Sequence, residues 1–420
     1  MKTLLLIFSI IVSMNVHSAE EDEWSDSWSE EEWGETSPWF WSNKVDYSYG
    51  GLLKSSAANI NDSTLDEFRW RSKLDYAGSS FKLETEIEGL SDKFNKEELK
   101  ITRFSLYKRL GKNWEAKVGR QVITWGTADL LFLNDLMAKD WRSFFNGRED
   151  YQLKPEVDAI RLSYYGLVNF EIAYLPEFAP DITPNGERYS FYIPGSGIIQ
   201  PQPEIVSLVP DEPELSARVF TTSGGIEWSL YYYQGFFKSP TKYTVKGFGY
   251  AEMDSLGASL RLPAFGGLFN AEISYYNSKE DPDGTNALIP NDQLRFLVGY
   301  ETEIANDISL ATQFYLEKTG DYQSLLSNAP SSQVLPEENR TVVTMRLTHL
   351  ALQQRLVNSL MFFYSPSDED HYLRYSSTYK ISDSWRTAFG VNLLKGKRDE
   401  TFLAQMKDNS NLFFRVHYSF

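Results

Sequence analysis

The sequence predicts an all-β fold: a transmembrane antiparallel up-and-down β-barrel of eighteen strands, with a helix-containing external loop folded inward. Three observations lead there. Apolar residues recur with period two in short segments rich in Tyr, Phe and Trp, in a chain that is 15% aromatic yet has a mean hydropathy of −0.40. Such alternation sends one side chain toward lipid and the next toward a polar lumen. Tight turns alternate with long links between these segments, the rule for barrels whose short turns face the periplasm. Finally, Leu412, Phe414, Val416, Tyr418 and Phe420 alternate with Phe413, Arg415, His417 and Ser419, and the chain closes on an aromatic residue.

Each segment can be justified in order. Residues 1–19 read as a signal peptide: Lys2, an apolar core from Leu4 to Val12, and small residues Ser18 and Ala19 at the cleavage region. A core of nine residues is too short to cross a bilayer as a helix. Residues 20–43 form an acidic periplasmic segment with nine acids and no base. Its tryptophans Trp24, Trp28 and Trp33 are candidate anchors for a periplasmic export partner, and a solvated acidic leader is the alternative. Residues 44–420 are expected to form the barrel. Eighteen segments alternate there, from 45–55 to 411–420, with tight turns such as Gly111-Lys112-Asn113 and Ser223-Gly224-Gly225. Sixteen strands remain open, because 341–350 and 356–364 are apolar on both faces.

Alternation assigns the charges. Arg69, Arg71 and Lys73 face the lumen, opposite Phe68, Trp70 and Leu74. Arg103, Arg161, Arg218, Arg261, Arg295, Arg346, Arg374 and Arg415 follow on later strands, and Arg386 joins them. Inward glutamates Glu84, Glu115, Glu171, Glu227, Glu272 and Glu317 are expected to pair with arginines on neighbouring strands as a structural ladder. From Arg346 round to Lys73 the cations meet few acids, mainly Asp75 and Asp46. That arc reads as an uncompensated positive strip, which would favour anions in a pore. Extended through the fifth strand, 114–125, alternation would put Arg120 in lipid. A bulge at Gly119 would turn it inward and leave Ile123 and Trp125 outward.

Beyond that strand, Leu130, Leu133, Met137, Trp141 and Phe144 recur at spacings of three and four, which predicts a helix near residues 128–145. Asp129 would sit in its first turn. Its apolar face needs a place to bury, and the barrel mouth offers one as a constriction. The segment Gly119-Arg120-Gln121-Val122-Ile123-Thr124-Trp125-Gly126, followed by Asp140-Trp141, resembles one found in alginate-export-type porins and a broad set of uncharacterised proteobacterial barrels. The resemblance covers about thirty residues and implies an eighteen-stranded export or diffusion channel. Loop 178–213 holds seven prolines and is expected to lie extended over the mouth.

The chemistry that is missing narrows the function. The chain has no Cys, and its four His stand apart with no metal-ligand spacing. A Ser-His-acid site built across strands would leave no local motif. The net charge of −17 argues against nucleic acid as a partner. The expectation is an outer-membrane channel of a Gram-negative bacterium, without cofactor or catalysis, that passes polar or anionic solutes. Its partners would be outer-membrane lipids and the barrel-assembly machinery, which would read Tyr418 and Phe420. The alternative is one component of a multi-protein export assembly.

Overall fold

The computed structural model describes residues 37–420 except 129, 185, 194, 201–206, 246 and 332. Trp24, Trp28 and Trp33, the expected signal peptide and Asp129 lie outside the described residues. Eighteen strands form one closed antiparallel sheet. They are β1 Trp39–Leu52, β2 Ser63–Ala77, β3 Lys82–Asp92, β4 Asn95–Leu110, β5 Trp114–Gln121, β6 Val157–Tyr164, β7 Asn169–Leu175, β8 Glu214–Ser223 and β9 Ile226–Phe236. There follow β10 Glu252–Ala264, β11 Gly267–Ser278, β12 Gln293–Ala305, β13 Ile308–Thr319, β14 Asn339–Ala351, β15 Leu356–Ser365, β16 Asp370–Lys380, β17 Trp385–Gly396 and β18 Asn411–Ser419. Each pairs with the next, and β18 returns to β1 from Lys44↔Ser419 to Leu52↔Asn411. Closure leaves no edge strand, so the ladder hydrogen bonds of the wall form between neighbouring strands without water, as lipid requires.

The outer face is apolar. Leu99, Phe104, Leu106, Ile160, Ile172, Leu230, Leu256, Ile273, Phe296, Phe389 and Phe414 are among its exposed side chains. At the short-turn rim, aromatic rings pack across neighbouring strands as a girdle. Trp39–Tyr76–Phe81 centroids are 4.9 and 5.1 Å apart, Trp114–Tyr164–Phe170 5.0 and 6.0 Å, and Trp385–Tyr418–Phe420 4.6 and 5.4 Å. Tyr418 and Phe420 thus sit in the girdle, and the Phe420 backbone exchanges two hydrogen bonds with Asn43.

Three expectations about the wall are corrected or made definite. The first strand begins at Trp39, so residues 39–43 belong to the wall rather than to the acidic segment, and Trp41 Nε1 donates to Ser72 Oγ at 2.9 Å. The open choice between sixteen and eighteen strands closes at eighteen: β14 and β15 pair without interruption from Val343↔Tyr364 to Ala351↔Leu356. The third correction is Arg120. Gly119 has φ +114° but no bulge forms, and β4–β5 pairing stays in step through Ser105↔Gly119 and Phe104↔Arg120. Arg120 therefore shares the outer face with Phe104 and is not pore-lining. Its charge is held by Asp158, on the same face of β6, at 3.0 and 2.6 Å, and its Nη1 donates to the Ile101 carbonyl at 3.0 Å. A bidentate pair with a carbonyl satisfies the guanidinium where water is scarce. The strand ends at Gln121, and Ile123 and Trp125 turn inward instead of outward, buried against Val157, Ala173, Leu175 and Tyr231.

Unpairing Arg120 should therefore cost more than removing the pair. Asp158→Ala should lower folding stability in bilayers by about 2–4 kcal/mol if the pair lies near the midplane, less toward the rim. Arg120→Leu with Asp158→Leu should fold close to wild type in a urea titration. Equal losses for the two variants would contradict the outward placement.

Candidate functional site at the β5–β6 loop

The link between β5 and β6 does not stay outside the barrel. It crosses the lumen and packs on both walls, and the residues chosen by helical spacing are those that pack. Leu130, Leu133 and Phe144 are buried with Leu297, Tyr315, Val342, Met361, Phe363, Tyr372 and Leu394, lumen-facing residues of β12 to β17, and Trp141 packs half-buried against the cluster. Met137 belongs instead to the cluster around Trp125 on the β6–β9 side. These contacts explain why β14 and β15 are apolar on both faces: one meets lipid and the other meets the loop.

Only a short part of the loop is helical. The expected helix over 128–145 is replaced by α1, Trp141–Asn146, after a run of turns. Spacing of three and four recorded burial on one side, and turns achieve that as well as a helix does. Asp140 caps α1, accepting from the Arg142 and Ser143 amides at 3.0 and 3.3 Å. At the other end Gly147 takes φ +83°, and a Cβ there would lie 2.3 Å from the Phe413 ring of β18, so only glycine fits. The helix's last carbonyls would be orphaned in the lumen. Donors supply them from several elements: Tyr189 to Arg142 at 2.8 Å, Tyr372 to Phe144 at 3.0 Å and Asn411 to Phe145 at 3.2 Å.

Glu272 of β11 holds the first half of the loop. The sequence placed it in the charge ladder, yet its carboxylate accepts from the Thr127 amide and hydroxyl, from the Ala128 amide at 2.8 Å and from Asn134 Nδ2 at 2.7 Å. Other ladder members behave as expected. Glu171 lies 3.3 Å from Arg161 and 2.6 Å from Arg218, Glu227 2.5 Å from Arg261, and Glu317 3.1 Å from Arg295. Glu84 instead takes Lys117 at 2.8 Å, while Arg103 faces Glu86 across β3–β4.

The strip expected to be uncompensated is not. The loop brings its own acids to it. Asp150 Oδ1 lies 3.0 Å from Arg374 and Oδ2 lies 3.7 Å from Arg346, and Glu149 reaches Arg415 at 3.9 Å and Arg71 at 4.0 Å. Asp46 takes Arg71 at 3.2 Å, and Arg69 lies between Glu88 at 2.5 Å and Glu67 at 3.3 Å. Glu67 also receives Arg148 of the loop at 2.5 Å. Burial opposes the charge of Arg148, and Glu67 and Asp140 more than restore it. Depth in the barrel likewise pushes the Asp150 carboxyl up, but Arg374, Arg346 and Arg415 outweigh it and hold it below the ordinary carboxylate range. Toward the short-turn rim, Lys73 meets Asp75 at 3.2 Å, and Arg386 stands on the lumen face opposite His417.

Loop 176–213 is more than an extended cover. Its described residues include a hairpin, Phe191–Ile193 with Gly197–Ile199. Arg188 is tucked inward, donating to Asp92 and to the Thr64 carbonyl at 2.7 Å. The sequence missed Glu149, Asp150, Arg148 and Glu67 as members of the site. The one signal for them was charge clustered at the end of an apolar stretch that had to be buried.

No family model matches the chain, and no curated protein matches its sequence. Solved structures do match in shape. Acinetobacter baumannii OccAB3 superposes with a TM-score of 0.56 at 10% identity, over 91% of this chain and 99% of that one. Pseudomonas aeruginosa OccD3 (OpdP) gives 0.55 at 11% identity, over 91% of both chains. OccK3 (OpdO) of the same species gives 0.55 at 8% identity, over 91% of this chain and 95% of that one. The fold is that of a porin-like outer-membrane barrel. At such identities the likeness is one of fold, and it carries no argument about alginate.

A loop anchored this way should narrow the lumen. Excising residues 127–153 should raise single-channel conductance in planar bilayers, and Glu272→Ala alone should add open-channel current noise. Unchanged conductance after excision would place the narrow point elsewhere.

Proposed function

We propose that the protein is a passive outer-membrane channel for polar solutes, with anions favoured over cations. The observation that carries this reading is the loop-built narrowing, where Glu149 and Asp150 face arginines from β2, β14, β16 and β18 inside a closed wall. These groups meet water: the Asp150 side chain is 52% exposed although it lies deep in the barrel, and Arg346 is 24% exposed. A dry ion-pair core would not leave its carboxylate half open.

Anion preference rests on the charges along the path rather than on the net charge of the chain. Selectivity follows groups within about a Debye length of the permeating ion, ~8 Å at physiological ionic strength. In the arc from β14 round to β2, from the narrowing to the short-turn rim, the described cations facing inward are Arg71, Arg346, Arg374, Arg415, Lys44, Lys73, Lys380 and Arg386. Against these eight stand five carboxylates, Asp46, Asp75, Glu149, Asp150 and Asp383. The arc keeps a positive excess after the loop has contributed its acids, smaller than the sequence alone implied.

In a KCl gradient the reversal potential should show Cl⁻ preferred. Asp150→Asn should strengthen that preference, because three arginines lose their shared counter-charge. Replacing Arg346, Arg374 and Arg415 together with Ser should move the potential toward K⁺. An intact channel that already prefers K⁺ would overturn the anion reading, and one with no conductance would overturn the channel itself.

A further inference from the structure

Close to the short-turn rim, polar side chains on the lumen face of β1 and β18 form a chain that conduction does not require. The register sets Asp46 opposite His417 and Lys44 opposite Ser419. His417 Nδ1 lies 2.5 Å from Asp46 Oδ1, and its Nε2 lies 2.6 Å from Ser419 Oγ. The second oxygen of Asp46 receives Arg71 Nη2 at 3.2 Å, so the carboxylate is fixed from two sides. His417 is buried, and Ser419 is half-buried on the lumen wall. A carboxylate holding one imidazole nitrogen while the other meets a serine hydroxyl is the arrangement that makes serine a nucleophile, whatever the fold beneath it.

We propose that Ser419, His417 and Asp46 form a serine-hydrolase site inside the barrel, acting on carboxylic esters of anionic compounds. With its proton on Nδ1, facing Asp46, the imidazole presents a lone pair at Nε2 to the Ser419 hydroxyl. As Oγ attacks the ester carbonyl carbon, the hydroxyl proton passes to Nε2 and the carbonyl electrons move onto oxygen. Collapse re-forms the carbonyl, breaks the carbon–alkoxy bond, and hands the Nε2 proton to the departing alcohol, leaving the acyl group on Oγ. Water then attacks that acyl carbon and gives a proton to Nε2. The second collapse breaks the Oγ–carbon bond, returns the proton to Ser419, and releases the acid. Ester and water become acid and alcohol, with no other reactant needed.

The transient oxyanion needs a positive neighbour. Lys44 stands opposite Ser419 on β1, and Arg386 stands opposite His417 on β17, both on the lumen side. With Arg71 they also define the substrate class, because an ester bearing a carboxylate or phosphate would be drawn to this wall. The nucleophile, base and carboxylate all stand on β1 and β18, and the inference does not depend on how the loop in the lumen selects ions.

Covalent labelling tests it on the intact, folded barrel. A fluorophosphonate probe should phosphonylate Ser419, located by peptide mass spectrometry, and p-nitrophenyl succinate should be hydrolysed. Ser419→Ala and His417→Gln should each lower turnover by about a hundredfold or more. Since β18 closes the wall, heat-modifiable gel mobility must show each variant folded. Asp46→Asn, away from the C-terminal strand, should lower turnover similarly while leaving Ser419 in place. A folded wild-type barrel left unlabelled at Ser419, beside a reactive control hydrolase, would overturn the proposal. So would turnover equal in wild type and Ser419→Ala, since a hydroxyl that merely satisfies the imidazole has no nucleophilic role.

Discussion

A loop can cross the inside of a barrel only if its backbone polar groups and its apolar side chains find partners on the wall. In this protein the β5–β6 link meets that condition on nearly every side. Glu272 accepts from two amides where the loop enters, and Tyr372 and Asn411 donate to the Phe144 and Phe145 carbonyls where α1 ends. Between them, Leu130, Leu133 and Phe144 bury against inward residues of β12 to β17. An unsatisfied buried polar group costs about 1–3 kcal/mol, so these anchors decide the loop's position as much as its apolar burial does. The wall's inner face is thus composed for the loop it holds.

The electrostatics follow from that position. Arginines lining a narrow lumen are costly unless charge of opposite sign comes near. Asp150 and Glu149 supply it to Arg374, Arg346, Arg415 and Arg71, and Glu67 supplies it to Arg148 and Arg69. The arginines therefore have two roles, seating the loop and setting the field beside the path. A strip of cations on paper becomes, once the loop is seated, a set of opposed charges with a modest positive excess.

Much of the barrel was legible in the chain because period two is a local property. Segments such as 226–236 and 411–420 carry their own assignment, and turn residues mark the ends of most such segments. What failed was non-local or rested on carrying alternation too far. Ile123 and Trp125 were placed outward by extending the strand past Gln121, where the chain has already left the wall. Within its own strand Arg120 has no counter-charge on the lipid face, and its partner Asp158 lies 38 residues away. The helix over 128–145 shrank to six residues because burial on one side does not demand helical backbone. The compensation of Arg346, Arg374 and Arg415 by residues 149 and 150 joins parts of the chain some two hundred residues apart. No pattern within a segment records such a meeting.

Closure imposes the longest-range meeting of all, since β1 must find β18 across the whole sequence. The seam is held on both faces. Outside, Tyr418 stacks between Trp385 and Phe420 in the aromatic girdle. Inside, Asp46 bridges Arg71 of β2 and His417 of β18, so one carboxylate ties three adjacent strands. Register and chemistry are then the same fact. A slip of one residue along the seam would turn every side chain of a strand to the opposite face. Asp46 and His417 would part, one of them facing lipid, and the imidazole beside Ser419 would lose its carboxylate. The hydrogen bonds that leave the wall without an edge therefore also fix where the Asp46, His417 and Ser419 chain stands.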